Sequence, residues 1–361
     1  MNYTIEKGSV PSYLQLYNRM KNDIVSGVYA FGTKLPSKRL LAEESGLSTI
    51  TVEHAYLLLC DEGYAEARER SGYFVIFRPN DGFAFASDIS ESKKKYDSPR
   101  VAKPSFPSSV LSRAMRRVIS NYEKVLFEKS PNAGLLELRT ALKNYLARNR
   151  RVNVSVDQIV IGSGSEYLYG LIIELLGRDR KVAIESPSYN KIEQVYSAAD
   201  ISYEQLPLKK DGIDSMSLSM TTASILHTTP YRSYPSGVTA SASKRHEYIR
   251  WANTEDRYLI EDDFESEFSV STKPMETLFS LSDNDNVIYL NTFSKTIAPG
   301  IRVAYMVLPM HLAKLFESKL GFYSCTVPTF EQYLLAELID GGEFERHINR
   351  VRRSLRKDSQ A

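Results

Sequence analysis

The chain has 361 residues, of which 42% are hydrophobic and 25% are charged, and its formal net charge is +2. These values are typical of a globular protein with two or three domains, and so small a net charge does not by itself indicate a polyanionic partner. The N-terminus has no apolar segment of the kind found in signal peptides, and the apolar stretch 168–176 is too short to span a membrane. Cys60 and Cys325 lie far apart in the sequence and do not have the spacing of metal ligands. We therefore expect both to be reduced thiols. We therefore expect a cytoplasmic protein with no membrane segment and no metal site.

The first 78 residues contain signals for three helices and a β-hairpin. Apolar residues recur at helical spacing at Leu14, Leu16, Tyr17, Met20, Ile24 and Val25. Ser37 is a good N-cap for a second helix that Gly46 would end, and Ser48 can cap a third. Two short helices joined by a glycine-containing turn are the helix-turn-helix pattern. The segments 64–67 and 72–76 flank a polar turn, which predicts a β-hairpin wing.

Three segments in this region resemble the winged-helix domain of GntR-type transcription regulators. They are 36–42 (PSKRLLA), 48–52 (STITV) and 70–75 (RSGYFV). The resemblance implies a recognition helix that starts at Ser48 and lies in the major groove of double-stranded DNA. The residues that it places at the DNA are Lys38, Arg39, Ser48, Thr49, Thr51, Arg70 and Gly72, with Arg39 on a phosphate and the Gly72 turn near the minor groove.

Charge alone does not decide between DNA and another partner for this domain. Residues 1–78 hold nine Lys and Arg against nine Asp and Glu. The case for DNA depends on the placement of Lys38, Arg39, Arg68 and Arg70, which fall on the elements that would face a duplex. The alternative is a winged helix that contacts another protein. The family often has arginine at the position of Thr49, so the bases read here are expected to differ.

Residues 79–104 form a polar stretch that contains a run of three lysines and little periodicity. This pattern predicts a solvated linker between the domain of residues 1–78 and the domain of residues 105–361.

Short apolar runs alternate with helical patterns in residues 105–361, which predicts an α/β domain with a mostly parallel sheet. The runs are 159–161, 182–184, 225–226, 258–260, 287–290 and 303–308. Polar residues follow several of them, at the strand ends where open α/β sheets bind ligands. The small residues of 162–166, with a helix expected from Tyr167, would leave backbone N–H groups free for a phosphate. Lys295 lies at another strand end, where a packed lysine can become a Schiff-base nucleophile.

The order of these parts resembles the aminotransferase fold, type I among pyridoxal-phosphate enzymes, over about residues 105–350. By this resemblance Lys295 would form the Schiff base with pyridoxal 5'-phosphate. Asp262 would pair with the pyridine nitrogen, and Tyr189 would stack on the ring. The residues implied at the phosphate are Ser165, Glu166, Thr292, Ser294 and Arg302.

A winged helix joined by a linker to an aminotransferase-like domain is the architecture of MocR-type regulators within the GntR family. The segments 229–237, 260–268 and 292–296 are also typical of that group. The resemblance implies a homodimeric transcription regulator whose cofactor domain senses a small effector, such as an amino acid, an amine or pyridoxal phosphate itself. The alternatives are a working aminotransferase with a DNA-binding appendage, and a remnant that binds DNA but has lost cofactor sensing.

Three features depart from the family pattern. Phe264 stands where the family has tyrosine, which removes a hydroxyl from the cofactor ring. Glu166 replaces a glutamine, and its carboxylate would have to turn away because two anions in one pocket repel each other. The family continues beyond a segment like 347–353 (HINRVRR), so with the sequence ending at Ala361 we expect the smaller C-terminal subdomain to be lacking. The arginine that grips a substrate carboxylate belongs to that subdomain, so we expect transamination to be absent or very slow.

Overall fold

The computed structural model describes residues 10–69, 71–78, 106–254, 256–269 and 276–358. The chain divides into two compact units, Met1–Ser98 and Pro99–Ala361, and each is described by itself below. The predicted linker, 79–104, lies outside the described residues, and so does Arg70.

The N-terminal unit consists of three helices and a two-stranded sheet. Its elements are α1 Ser12–Val25, α2 Lys38–Ser45, α3 Thr49–Asp61, β1 Ala65–Arg68 and β2 Gly72–Val75. The two strands pair antiparallel, with Ala65 opposite Val75 and Arg68 opposite Gly72. The predicted helix-turn-helix and the predicted hairpin are therefore confirmed.

Short side-chain caps set the boundaries of the two helices in the helix-turn-helix. Oγ of Ser37 accepts a hydrogen bond from the backbone N–H of Leu40 at 3.2 Å. Helix α2 ends at Gly46, which has a left-handed φ of 67°. Glycine adopts this conformation at little cost in free energy because it has no Cβ atom. Oγ of Ser48 accepts from the backbone N–H of Thr51 at 3.1 Å and so starts α3. Each serine cap stabilises its helix by about 1 kcal/mol. The core behind these helices includes Leu16, Met20, Ile24, Leu41, Val52, Ala55, Tyr56 and Leu59.

The second unit alternates helices and strands along the chain. Its strands are β3 Ile159–Gly162, β4 Val182–Ser186, β5 Tyr203–Lys209, β6 Gly212–Ile213, β7 Ile225–Thr228, β8 Tyr258–Asp262, β9 Val287–Thr292 and β10 Ala304–Val307. Its helices are α4 Ser108–Tyr122, α5 Leu136–Arg150, α6 Ser165–Leu176, α7 Asn190–Ala198, α8 Ser215–Met220, α9 Ala242–Ala252, α10 Leu278–Leu281, α11 Phe293–Thr296, α12 Met310–Leu320, α13 Thr329–Asp340 and α14 Glu343–Asp358.

The strands of the second unit form one sheet in the order β3-β10-β9-β8-β7-β4-β5-β6 across the described residues. The neighbours from β9 through β8, β7 and β4 to β5 pair parallel. Strand β10 runs antiparallel to both β3 and β9, and β6 runs antiparallel to β5. The predicted mostly parallel sheet is confirmed.

Alternate residues of each strand pack on opposite faces of this sheet. In β9, Ile288 and Leu290 join the apolar cluster that includes residues of α6, α7 and α12. Tyr289, which lies between them, joins the cluster that includes residues of α5 and α13. Helices therefore cover both faces, and the polar residues at the strand ends are left at the edge. Within the described ranges, none of the helices combines the length and the apolar character needed to span a bilayer.

Candidate functional site

A cavity of about 440 Å³ lies at the carboxyl ends of the central strands. Asp262 is the last residue of β8 and Thr292 the last residue of β9, while Tyr189 follows β4 closely. All the residues predicted for the cofactor line this cavity, namely Ser165, Glu166, Tyr189, Asp262, Thr292, Ser294, Lys295 and Arg302. The other lining residues are Tyr169, Ile192, Thr229, Tyr234, Phe264 and Pro299. The fold thus brings together side chains that lie up to 137 positions apart in the chain, from Ser165 to Arg302.

The Asp262 carboxylate is buried in the cavity wall, with one of its two oxygens left without a partner. The side chain of Tyr169 donates a hydrogen bond to Oδ2. Nε2 of His227 lies 3.7 Å from the same oxygen, and Nδ1 of His227 shares a hydrogen bond of 2.6 Å with the hydroxyl of Tyr196. Among the described residues Oδ1 has no hydrogen-bond partner. A buried acceptor in this state suits the N–H group of a ligand.

Tyr169 and His227 were not predicted as site residues. In the sequence both resemble ordinary core positions, since Tyr169 falls within the apolar stretch of α6 and His227 within the apolar strand β7. The one available signal was helical spacing. Tyr169 lies four residues after Ser165, so both side chains project from the same face of α6.

Lys295 lies in the short helix α11, immediately after β9. Its Nζ is 5.7 Å from the centroid of the Phe264 ring, which is a cation–π distance. In the described part of the chain, no hydrogen bond or ion pair engages this amine, and the side chain is exposed. An accessible amine at the edge of a cavity can react with a carbonyl compound once it is neutral.

Helix α6 begins at Ser165, two residues before the predicted start at Tyr167. The prediction was wrong because it followed the apolar run, whereas polar residues such as serine and glutamate are favourable in the first turn of a helix. Gly164 precedes the helix with a φ of 103°. A Cβ atom at Gly164 would lie 2.6 Å from Nη2 of Arg302. The glycine therefore allows the guanidinium to approach the N-terminus of α6, where the first backbone N–H groups have no carbonyl partner within the helix.

The Glu166 carboxylate occupies the cationic end of the cavity. Its Oε2 accepts a hydrogen bond from Nη2 of Arg302 at 2.7 Å, and its Oε1 accepts one from Nζ of Lys191 at 2.8 Å. Burial opposes ionisation of this carboxyl, but hydrogen bonds from Lys191, from its own backbone N–H and from Arg302 outweigh it and lower the pKa of Glu166 to about 2. Two neighbouring cations thus attract the Glu166 side chain into the cavity wall. The expectation that this side chain turns away from a bound phosphate stays a prediction.

Thr292 and Ser294 stabilise the turn that carries Lys295. Oγ of Ser294 donates to the carbonyl of Ile301 at 3.0 Å. Oγ1 of Thr292 donates to the carbonyl of Val303 at 3.3 Å and accepts from the backbone N–H of Ser294 at 3.2 Å. Both hydroxyl hydrogens are therefore used within the protein.

Aromatic side chains lie at the mouth of the cavity. Tyr189 precedes α7 and is 39% exposed, and Tyr234 is 59% exposed. Their rings meet edge to face, with centroids 6.2 Å apart and planes at 77°. This geometry leaves an aromatic face available to a planar ligand.

The predicted DNA-reading residues lie at the start of α3. Thr49 and Ile50 are exposed, and Ile50 exposes 66% of its surface. Ser48 and Thr51 share a hydrogen bond of 2.8 Å between their side-chain oxygens, so both take part in the cap. Ile50 was not among the predicted residues. The sequence signal that could have identified Ile50 is an apolar residue that does not belong to the buried face of α3. That face consists of Val52, Ala55, Tyr56 and Leu59.

The other residues predicted to lie at the DNA have different surroundings. Arg39 is exposed on α2. Nζ of Lys38 forms an ion pair with Oε1 of Glu53 at 2.5 Å, which joins α2 to α3. Gly72 begins β2 with a φ of 110°, and a Cβ there would lie 3.1 Å from Cε of Lys34. This glycine permits the tight turn of the wing.

Two protein families match separate parts of the chain. The family described as aminotransferase class I and II matches residues 103–361, and the bacterial regulatory proteins of the gntR family match residues 12–75.

Relatives with both parts match nearly the whole chain. The uncharacterised HTH-type transcriptional regulator YdeL of Bacillus subtilis is 31% identical over 99% of this chain and 79% of its own length. The HTH-type pyridoxine biosynthesis transcriptional regulator PdxR of Corynebacterium glutamicum is 27% identical over 97% of this chain and 77% of its own. The probable rhizopine catabolism regulatory protein MocR of Rhizobium meliloti is 26% identical over 95% and 75%.

Solved aminotransferases share the fold of the second unit. The kynurenine aminotransferase of Pyrococcus horikoshii, solved with PMP, superposes with a TM-score of 0.62 at 28% identity over 69% of this chain. This chain spans 64% of that enzyme, just under two thirds. LysN of Thermus thermophilus, an α-aminoadipate aminotransferase complexed with N-(5'-phosphopyridoxyl)-L-leucine, gives a TM-score of 0.62 at 26% identity over 71% of this chain and 66% of its own. From these matches and from the two folds described above, the chain belongs to the MocR-type transcription regulators of the GntR family, which join a winged helix-turn-helix to a domain of the class I and II aminotransferases.

Proposed function

We propose that this protein regulates transcription by binding operator DNA through residues 1–78, while residues 105–361 hold pyridoxal 5'-phosphate and sense a small effector. The observation that carries the proposal is the pocket in which all the predicted cofactor residues meet, within a chain whose N-terminal unit is a winged helix. A regulator of this kind works in the cytoplasm, where the chromosome is accessible.

The side chains of the pocket suit pyridoxal phosphate at both of its ends. When bound, the cofactor supplies an aldehyde that reacts with amines and a pyridine ring that accepts electrons. Among the described residues Oδ1 of Asp262 has no partner, and we infer that it accepts the N–H of the protonated ring nitrogen. The amine of Lys295 is accessible to the aldehyde, and Tyr189 offers an aromatic face to the ring. At the other end, Ser165, Arg302 and the N-terminus of α6 would supply donors for the phosphate. The hydroxyls of Thr292 and Ser294 would do so after turning away from the carbonyl groups to which they donate here.

The effector belongs to the class of small amines and amino acids, or is pyridoxal phosphate itself. A cavity of about 440 Å³ with an open aromatic mouth can admit a small molecule beside the cofactor. An amine that reaches the aldehyde competes with Lys295, so the occupancy of this lysine would depend on the effector concentration. The relatives that match both parts of the chain are named as regulators, which favours sensing over turnover.

A working aminotransferase with a DNA-binding appendage is the second candidate. It is favoured by the likeness of the second unit to solved aminotransferases such as the kynurenine aminotransferase at 28% identity. Steady transfer of an amino group from a common amino acid to a keto acid would support this candidate. Slow half-reactions would not, because any amine that entered the open pocket would react slowly with a bound aldehyde.

The DNA-binding proposal requires a dimer, since a homodimer presents two recognition helices to two half-sites. The test is a gel-shift titration of the full chain against a library of genomic fragments, with and without pyridoxal phosphate. We expect binding to fragments that contain two short half-sites, and affinity that falls steeply with salt as counterions are displaced. Equal binding to all fragments under both conditions would overturn the regulator proposal.

A further inference from the structure

The cationic end of the pocket already holds an anion that belongs to the protein. The Glu166 carboxylate lies between Arg302 and Lys191, with oxygen–nitrogen distances of 2.7 and 2.8 Å. The side chains of the two cations are half exposed, at 51% and 49%, whereas that of Glu166 is only 24% exposed. A carboxylate held by two charge-assisted hydrogen bonds resembles a bound phosphate in charge and in its acceptor oxygens.

Most of the side chains predicted to hold a phosphate are engaged by protein groups in this arrangement. Arg302 donates to Glu166, Ser294 donates to the Ile301 carbonyl, and Thr292 donates to the Val303 carbonyl. A phosphate that enters the pocket must therefore take Arg302 away from Glu166, or bind beside an anion that repels it.

We propose that Glu166 is an internal competitor for the phosphate of the cofactor, so that the pocket binds the phosphate ester weakly and releases it readily. The inference rests on the proposed cofactor function and adds a specificity-determining residue to that site. Glu166 lowers the preference for a phosphorylated aldehyde over an unphosphorylated one.

Displacement of Glu166 requires a movement of its side chain and does not proceed by protonation. Its pKa of about 2 keeps it ionised under all ordinary conditions. Lys191 does not line the cavity, although it binds the second oxygen of the carboxylate. Glu166 can therefore give up Arg302 and keep Lys191, which moves the negative charge to the rim of the pocket. The cost is one charge-assisted hydrogen bond, and this cost reduces the affinity for the phosphate ester.

The experiment compares pyridoxal phosphate with pyridoxal in the full-length protein and in its Glu166→Gln variant. Dissociation constants come from absorbance titration, and borohydride reduction followed by peptide mapping reports covalent attachment at Lys295. The matched control is Glu174→Gln, which removes another arginine-paired glutamate of the same helix, since Glu174 pairs with Arg178 away from the cavity. Pyridoxal lacks the phosphate, so its binding reports whether the ring end of each variant is intact.

We expect Glu166→Gln to bind pyridoxal phosphate about tenfold more tightly than the unaltered protein, because one negative charge beside the phosphate is removed. Its affinity for pyridoxal should stay the same, and Glu174→Gln should change neither constant. Inorganic phosphate should compete with pyridoxal phosphate more strongly in Glu166→Gln, since Arg302 then faces a neutral amide in place of a carboxylate.

The possible failures of the inference and of the proposed function are distinct. If Glu166→Gln bound pyridoxal phosphate no more tightly than the unaltered protein does, the inference would be overturned, but the proposed cofactor site would not be affected. If Glu166→Gln also bound pyridoxal more tightly, by a similar factor, the inference would be overturned as well, because the effect would then not involve the phosphate. If neither protein took up pyridoxal phosphate and none were fixed by borohydride, the cofactor site itself would be wrong, and the inference with it.

Discussion

Tyr169 donates a hydrogen bond to Oδ2 of Asp262, and the other oxygen of this carboxylate is left without a partner in a cavity wall. The carboxylate is 4% exposed, so water cannot readily satisfy the free oxygen. Tyr169 fixes the orientation of the carboxylate. The conformational entropy of this side chain is therefore lost when the protein folds and not when a ligand binds. A ligand with a suitably placed N–H group then binds to an acceptor that is already oriented.

Replacement of Asp262 by asparagine should weaken the binding of pyridoxal phosphate by at least about tenfold, because the ring nitrogen loses an ionic partner. Tyr169→Phe should have a smaller effect in the same direction, since the carboxylate remains but is no longer oriented. Absorbance titration measures both. Equal affinities in Asp262→Asn and the unaltered protein would show that the ring nitrogen binds elsewhere.

Lys295→Ala should abolish covalent fixation of pyridoxal phosphate by borohydride, because no other lysine lines the pocket in the described residues. Mass spectrometry of the reduced protein measures the adduct. Lys191→Ala is the control, since Lys191 lies near the pocket but not in its wall, and this variant should retain the adduct. An adduct that persists in Lys295→Ala would assign the Schiff base to a different residue.

Arg39→Ala should lower the affinity for all DNA sequences alike, because an exposed arginine at a phosphate positions the domain without reading bases. Thr49→Ala or Thr51→Ala should instead change the preferred sequence, by about 1–3 kcal/mol for each base contact that is lost. Gel-shift titrations against a selected duplex and a scrambled one separate the two effects. A change of sequence preference in Arg39→Ala would contradict its placement on the backbone.

Ile50 should contact the methyl group of a thymine, because it is an apolar side chain that is 66% exposed in the first turn of α3. Replacing thymine by uracil at that one position of a selected duplex should weaken binding by about fourfold, the value of one buried methyl group. The same replacement should not change the affinity of the Ile50→Ala variant for the duplex. If uracil were tolerated at every position by the unaltered protein, Ile50 would not read a methyl group.

The second unit should lose stability as the pH rises from 6.5 to 8.5. Burial raises the pKa of Glu185 to about 7 and that of Glu261 to about 8, so both keep protons in the folded state that the unfolded chain releases near its ordinary pKa. Their contribution is complete below that ordinary pKa and is lost as the pH passes through 7 and 8. The part that is lost between pH 6.5 and pH 8.5 is about 3 kcal/mol. Trp251, the one tryptophan of the sequence, is buried in this unit and reports its urea unfolding by fluorescence. A midpoint that rises over this range would contradict the expected sign.

Local signals predicted the helices and strands with strong caps or clear periodicity. Ser37, Gly46 and Ser48 act at single helix ends, so their effect does not depend on distant parts of the chain. Strands β5 and β6 were missed, and the reason is their position at the edge of the sheet. In β5 only Leu206 is buried, and Pro207 interrupts the pattern, so the apolar run that revealed the central strands is absent.

The pocket was predictable where its residues stand at strand ends, as Asp262 and Thr292 do. Its electrostatics were not predictable, because they depend on contacts between distant residues. Lys191 lies 25 positions from Glu166, and nothing in the pattern of α7 marks this lysine as a partner of that glutamate. The unpartnered oxygen of Asp262 likewise depends on where Tyr169 lies in three dimensions.

Lys295 and Arg302 belong to a single turn between the antiparallel strands β9 and β10. The backbone N–H of Phe293 donates to the carbonyl of Val303 at 2.9 Å, and the turn is therefore closed at its base. The separation of the reactive amine from the anion-binding guanidinium is thus set by the length of one loop and not by the spacing of the strands. Inserting or deleting even one residue between positions 296 and 301 would alter this separation, so related sequences should vary in composition here but seldom in length.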